Sequence, residues 1–90
     1  MIGDHRIPAI NPMFRFQWEP AQQAHVLLYP EGMVRLNPSA GEILTFCDGF
    51  HTVGMIISRL QRKFPDAGDL SGDIQEFLGE AREKQWIRLN

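Results

Sequence analysis

Four side chains of types that often do chemistry are spread along this 90-residue chain: three histidines, His5, His25 and His51, and the cysteine Cys47. The histidines fall in three different predicted segments, and neither a CxxC nor an HExxH spacing occurs. Histidines outside such motifs are usually surface or capping residues. We therefore expect no catalytic residue, no bound metal ion and no cofactor.

Cys47 is the only cysteine, so no internal disulfide can form, as is usual in the cytosol. Its spacing from Ile43 and Leu44 places it on the apolar face of a predicted helix, where a free thiol acts as a small hydrophobe. The first ten residues contain no apolar run of signal-peptide length, and no membrane span is indicated. The sequence therefore predicts a cytoplasmic protein that does not contact a membrane.

The composition, 43 % hydrophobic and 22 % charged, is that of an ordinary globular protein. A chain of this length buries only about 60 to 65 % of its unfolded surface, which is enough for one core. Nine basic and eleven acidic residues give a formal net charge of −2. Because no overall positive field exists to attract phosphates, nucleic acid is a poor candidate partner.

The chain is predicted to contain a flexible N-terminal arm, residues 1–13, followed by one folded domain, residues 14–90. The arm has scattered apolar residues without a period. In the domain, Phe14, Phe16 and Trp18 alternate with polar residues, which is typical of a strand with one buried face.

Two more strands are predicted over residues 25–29 and 33–37. The first of them is rich in β-branched and aromatic residues. Tyr29-Pro30-Glu31-Gly32 between them has the residue types of a tight turn, so the two strands form a hairpin. Pro38 ends the last strand.

After Pro38 the apolar period changes from 2 to 3.6, which indicates helices. Ser39 and Glu42 fit a capping box at the start of the first helix, and Thr52 can cap the second. The third helix starts near residue 69 or 71 and presents an acidic outer face. An apolar tail, residues 86–89, is expected to fold back on the core.

This order of elements predicts an α+β fold, a three-stranded antiparallel sheet followed by three helices, close to the winged helix-turn-helix layout. A three-stranded sheet has two edges, and an edge without a partner strand can pair with another chain. The third strand is short, and only Arg35 provides charge along it.

The stretch from Val34 to Leu44, VRLNPSAGEIL, continued by Cys47-Asp48-Gly49 and later by Val53, resembles the signature of the PqqD family (pyrroloquinoline quinone biosynthesis protein D). The resemblance covers roughly residues 14–89. It implies a RiPP recognition element, a domain that binds the leader of a ribosomally made, PqqA-like precursor peptide and presents it to a PqqE-like radical SAM enzyme. Such a domain is a peptide chaperone rather than an enzyme.

In that family the leader lies between the third strand and the third helix and adds a strand to the sheet. The residues of this chain that the resemblance assigns to peptide binding are Met33, Val34, Arg35, Leu36 and Asn37 on the strand and Asp73, Ile74, Phe77, Leu78, Ala81 and Arg82 on the helix. Which of the helix side chains touch the peptide is left open.

The alternative is a winged-helix DNA-binding regulator, since this layout is common among regulators. The third helix would then enter the major groove, but its outer face is mainly acidic, which disfavours phosphate contacts. Arg59, Arg62 and Lys63 make one basic patch on the second helix, either a solvated face or a docking site for an acidic enzyme surface. A homodimer through residues 1–13 or through the open edge also remains possible on the sequence.

Overall fold

Two antiparallel sheets and three α-helices make up the chain, which the computed structural model describes over residues 1–90. In chain order the elements are β1 Pro8–Ile10, β2 Arg15–Glu19, β3 Ala24–Tyr29, β4 Gly32–Arg35, α1 Pro38–Thr45, α2 Val53–Lys63, a 3₁₀ turn Pro65–Ala67, α3 Ser71–Glu83 and β5 Ile87–Leu89. The larger sheet has the order β2-β3-β4, and β1 pairs with β5 in a smaller one. The predicted α+β fold of three sheet strands followed by three helices is confirmed. None of these helices combines the length and the apolar character that crossing a bilayer requires.

The hairpin between β3 and β4 turns through two residues, Pro30 and Glu31, with Tyr29 paired to Gly32. On β2, Phe16 packs against the core as predicted, but the Trp18 residue is 53 % exposed. Alternation correctly identified the face on which Trp18 lies. It could not show that Trp18 stays more than half exposed, where its ring lines an open depression and packs edge-on against His25.

The first helix begins two residues earlier than the predicted capping box implies. Asn37 is the cap, because its Oδ1 accepts from the Ala40 N–H at 2.8 Å, and Pro38 takes the first helical position. The predicted role of Ser39 and Glu42 is therefore wrong. The Glu42 carboxylate instead forms an ion pair with Lys63 Nζ at 2.7 Å, which joins α1 to the end of α2.

The apolar faces of the helices meet in one core. Thr52 caps α2 as predicted, since its side chain accepts from the Met55 N–H at 3.1 Å. Inward residues follow the predicted helical stripes, although Phe64 is 40 % exposed and Ile57 is only half-buried. The buried residues of the three helices are Ala40, Gly41, Ile43, Leu44, Val53, Ile56, Leu60, Ile74, Leu78 and Ala81.

The N-terminal segment is part of the fold, so the prediction that residues 1–13 lack a regular element is wrong. β1 pairs with β5 along its whole length, and the Ile2 side chain lies in the core. Two backbone carbonyls of the segment, Asp4 O and Arg6 O, accept hydrogen bonds of 2.9 Å from the first N–H groups of α2. Those N–H groups have no partner within the helix, which is why an extended segment binds there.

Asn11 links the N-terminal segment to the residues between α3 and β5 through hydrogen bonds. It is buried, with 4 % of its surface exposed, and its Nδ2 donates to the Gln85 carbonyl at 2.8 Å while its Oδ1 accepts from the Met13 N–H at 3.1 Å. Its backbone N–H donates to the Trp86 carbonyl at 2.9 Å. The turn from β1 into β2 is thereby held against the segment that joins α3 to β5.

The sheet rests on α1 at His25 and Gly41. A Cβ atom on Gly41 would lie 2.7 Å from the His25 Nδ1 atom, closer than side chains pack. The His25 ring is also stacked on Phe16, with ring centroids 4.9 Å apart. Only glycine allows this helix to approach the strand so closely, even though glycine inside a helix costs about 0.5–1 kcal/mol relative to alanine.

We predict that Gly41→Ala lowers the free energy of unfolding by about 1–3 kcal/mol, since the new methyl group must displace the His25 ring. Gly79→Ala is the matched control, because a Cβ atom there meets nothing within 4 Å. It should stabilise the protein by about 0.5–1 kcal/mol through helix propensity alone. Urea unfolding measures both, and a Gly41→Ala variant as stable as Gly79→Ala would contradict the proposed contact.

We predict that Asn11→Ala lowers the free energy of unfolding by about 1–3 kcal/mol, because it leaves the Gln85 carbonyl without its side-chain hydrogen-bond donor. Asn90→Ala serves as the control. Its side chain is exposed and makes no hydrogen bond, so its effect should stay within about 0.5 kcal/mol. Equal thermal midpoints for the two variants would show that the Asn11 side chain does not hold the chain ends together.

Candidate functional site

The open edge strand β4 presents main-chain hydrogen-bonding groups to solvent in a definite order. The Leu36 N–H donates to the His25 carbonyl at 3.0 Å. In an antiparallel pair such bonded positions alternate, so Gly32, Val34 and Leu36 direct their N–H and C=O groups toward β3. Met33 and Arg35 therefore direct theirs outward, where an added strand could pair with them.

The side chains of this segment alternate between the two faces of the sheet. Val34 is half-buried and packs against the core, and Leu36 is buried, with 5 % exposed. Met33 and Arg35 lie on the opposite face and are exposed, with the Arg35 Nη2 group 3.5 Å from the Gln22 carbonyl. The predicted strand 33–37 is shorter than expected, because Asn37 serves as the cap of α1. Leu36 thus offers a peptide neither outward main-chain groups nor a side-chain contact at the surface.

The predicted residues of α3 do not share one face of the helix. Ile74, Leu78 and Ala81 point into the core and have at most 2 % of their surface exposed. They cannot line a surface groove without a rearrangement of the helix, because their side chains already fill the core. The sequence named these three residues because they belong to α3. Their burial shows that they pack in the core.

Asp73 and Phe77 lie on one flank of α3, whereas Arg82 lies on the other. Phe77 and Arg82 are five residues apart, which places them about 140° apart around the helix axis. Arg82 lines an open depression together with Met1 and Ile2 of the N-terminal segment. The structure therefore does not bring Arg82 together with Phe77.

Beside Phe77 lie two residues that follow α3 and that the sequence did not single out for the site, Lys84 and Trp86. The ring centroids of Phe77 and Trp86 are 6.5 Å apart, and Lys84 Nζ lies 4.9 Å from the Trp86 ring centroid. Both aromatic side chains are half-buried. The seven-residue spacing of Phe77 and Lys84 was the available signal, since it places both on one helix flank. We call Phe77, Lys84 and Trp86 the aromatic flank.

Two depressions lie near the predicted site, and no single one contains both β4 and α3 residues. One, of about 590 Å³, includes Arg35 and Asn37 at the end of the edge strand. The other, of about 290 Å³ and mostly apolar, lies between the helices and includes Asp73 and Phe64. Glu42 lines both of them.

The histidines and the cysteine occupy ordinary structural positions. His51 Nδ1 lies 2.9 Å from Asp48 Oδ2, and no three His, Cys, Asp or Glu side chains are grouped closely enough to hold a metal ion. Partial desolvation acts to raise the pKa of Asp48, but hydrogen bonds from the His51 ring and from the Phe50 and His51 N–H groups outweigh it and lower the pKa. Burial of the thiol raises the pKa of Cys47 to about 12, and the Asp48 carboxylate adds to this rise.

The fold and the unpaired strand define a small α+β domain of the winged helix-turn-helix type whose sheet ends in an open edge beside a helix. The sequence model of the family described as coenzyme PQQ synthesis protein D (PqqD) matches residues 24–87. The chain belongs to this family.

Individual relatives agree over nearly the whole chain. The PqqA binding protein of Stutzerimonas stutzeri is 52 % identical over 84 residues, which cover 93 % of this chain and 91 % of that protein. The PqqA binding protein of Acinetobacter baylyi is 55 % identical, over 94 % of this chain and 86 % of the other.

A solved structure shares the fold. It is the solution NMR structure of the PqqD truncation of Methylobacterium extorquens PqqCD, with a TM-score of 0.71 and 27 % identity over 90 % of this chain and 87 % of that one. That domain is described as a functional and stand-alone RiPP recognition element.

We predict that native Cys47 reacts with iodoacetamide at pH 8 more than about a hundredfold more slowly than the same thiol in concentrated guanidinium chloride. The folded protein both buries the sulfur and raises its pKa, so little thiolate is available. Mass spectrometry over time measures the two rates. Native and unfolded rates within about tenfold of each other would contradict the burial of this thiol.

Proposed function

We propose that this protein binds the leader region of a PqqA-like precursor peptide and presents it to a PqqE-like radical SAM enzyme in pyrroloquinoline quinone biosynthesis. In this proposal it acts in the cytoplasm as a peptide chaperone and not as a catalyst. Relatives that are about half identical over almost the whole chain are named PqqA binding proteins. The related M. extorquens domain is described as a recognition element for ribosomally synthesised peptides.

The observation that carries the proposal is the open main chain of Met33 and Arg35. An extended peptide that pairs there satisfies its own N–H and C=O groups and those of β4. Between Pro30 and Asn37 the only charged residues are Glu31 and Arg35. The edge therefore has little of the charge that discourages strand addition.

Selectivity in this mode comes from pockets for alternate side chains of the added strand. On its outer face, such a peptide would lie beside the exposed side chains of Met33 and Arg35. On its inner face it would direct side chains toward the helices, where the half-buried Val34 offers apolar surface. A leader with apolar residues at alternate positions fits this arrangement best.

DNA binding by α3 is opposed by charge. The exposed arc of the helix carries Asp73, Glu76, Glu80 and Glu83, all exposed to solvent. Each phosphate contact needs a donor or a cation, and a carboxylate in its place is repelled. The edge strand is therefore the better-supported site, and the regulator hypothesis ranks second.

The test is a calorimetric titration of the purified protein with a PqqA-like peptide. We predict that Arg35→Pro abolishes binding, because it removes an outward N–H and adds ring bulk at the open edge. The sheet should survive, since this N–H donates to no other strand. Arg35→Ala keeps the N–H and should weaken binding by only about 1 kcal/mol.

The other open edge supplies the matched control. On β2 the outward main-chain groups belong to Phe16 and Trp18, because Gln17 pairs inward with Val26. Trp18→Pro should bind the peptide as tightly as Trp18→Ala. Circular dichroism checks that each variant is folded. A folded Arg35→Pro variant with wild-type affinity would exclude the β4 edge, and a loss confined to Trp18→Pro would assign the peptide to β2.

A further inference from the structure

Phe50 is the most exposed aromatic residue of the protein, with 82 % of its surface accessible. It lies in the connection between α1 and α2. The neighbouring aromatic rings are less exposed than Phe50: the His51 ring packs edge-on against Phe46, with ring centroids 5.3 Å apart. The connection therefore directs two rings toward the protein and one ring, that of Phe50, away from it.

The backbone that presents Phe50 is firmly held. Asp48 Oδ1 accepts from the Phe50 N–H at 2.9 Å and from the His51 N–H at 3.1 Å. The Gly49 N–H donates to the Pro8 carbonyl at 3.1 Å, and Asp48 forms a bridge with Ala9. An exposed phenyl group on a fixed backbone loses little conformational freedom on binding, which suits it to anchor a partner.

The outer face of α2 continues from this point as a strip of exposed side chains. Met55, Ser58, Arg59 and Arg62 are spaced at i, i+3, i+4 and i+7, and all are exposed. Their direction is opposite to the buried stripe of the same helix. We call Phe50 and these four residues the α2 surface.

The α2 surface is apolar at its start and cationic at its end. Met55 is 43 % exposed in the first turn, and Arg59 and Arg62 follow in the next two. Neither arginine forms a hydrogen bond or an ion pair within the protein, whereas the neighbouring Lys63 is paired with Glu42. Two unpaired guanidinium groups on a protein of net charge −2 favour carboxylates on the partner.

We propose that the α2 surface docks the radical SAM enzyme, on a part of that enzyme where an apolar pocket for Phe50 is bordered by carboxylates that receive Arg59 and Arg62. This rests on the proposed function, in which the enzyme is the partner. A buried aromatic anchor surrounded by charged contacts is the usual composition of an interface hot spot. None of these residues belongs to β4 or to the aromatic flank, so the two proposed sites share no residue.

The experiment measures two affinities for each variant, one for the purified enzyme by surface plasmon resonance and one for the precursor peptide by calorimetry. Phe50→Ser and Arg59→Glu should each weaken enzyme binding at least tenfold and leave peptide affinity unchanged within about twofold. The matched controls are Met13→Ser, another exposed apolar residue, and Arg88→Glu, the same charge change on β5. Both controls should bind the enzyme like wild type.

Ionic strength provides a second measurement. Enzyme affinity of the wild type should fall on going from low to high salt more steeply than that of Arg59→Glu, because one charge pair has been removed. Arg35→Pro should lose the peptide and keep the enzyme, which separates the two sites.

Wild-type enzyme affinity in Phe50→Ser and Arg59→Glu would overturn the docking proposal, and so would an enzyme that does not bind the wild-type protein at all. A change in sedimentation caused by Phe50→Ser would assign the surface to a second copy of the chain, and loss of binding to anionic vesicles would assign it to lipid. The peptide titration is independent of all these results, so the proposed peptide-binding function stands or falls separately.

Discussion

The close approach of His25 to Gly41 sets where the sheet lies on the helices. Because a Cβ atom on Gly41 would lie 2.7 Å from the imidazole, only glycine lets β3 lie this near to α1. β4 is paired to β3 on the far side, so the position of the open edge follows from this contact. Only two residues, Leu36 and Asn37, separate β4 from α1, and Asn37 is the cap of the helix. The segment that resembles the family signature is thus the segment that fixes the edge relative to the helices.

The local parts of the fold were predictable, because each is encoded by a short stretch of sequence. The helical stripes, the Thr52 cap and the β3–β4 hairpin all depend on neighbours within a few residues. β1 was missed because its three residues gain their partner only from β5, about eighty residues further on. Ser39 was predicted as the cap because Glu42 follows it at capping-box spacing, but Asn37 caps the helix and Pro38 takes the first helical position.

The candidate site could be proposed by element and not by residue. Strand addition depends on main chain, so naming the edge strand was sufficient to propose where a peptide could pair, and that pairing stays a prediction. Naming all of α3 was not, since Ile74 and Leu78 fill the core while Arg82 faces the N-terminal segment. Trp86 was treated as tail packing because its pairing with Phe77 depends on how the chain turns after α3.

Main-chain pairing by itself distinguishes poorly between peptides, because every extended segment offers the same groups. A domain that relied on the β4 edge alone would bind its peptide weakly and with little selectivity. The proposed docking of the enzyme on the α2 surface offers a physical remedy. If the enzyme occupies α2 while the peptide occupies β4, the substrate end of the peptide is confined near the enzyme at an effective concentration in the millimolar range for a short connection. A modest affinity for each partner then suffices, and discrimination follows from the requirement that both contacts form at once.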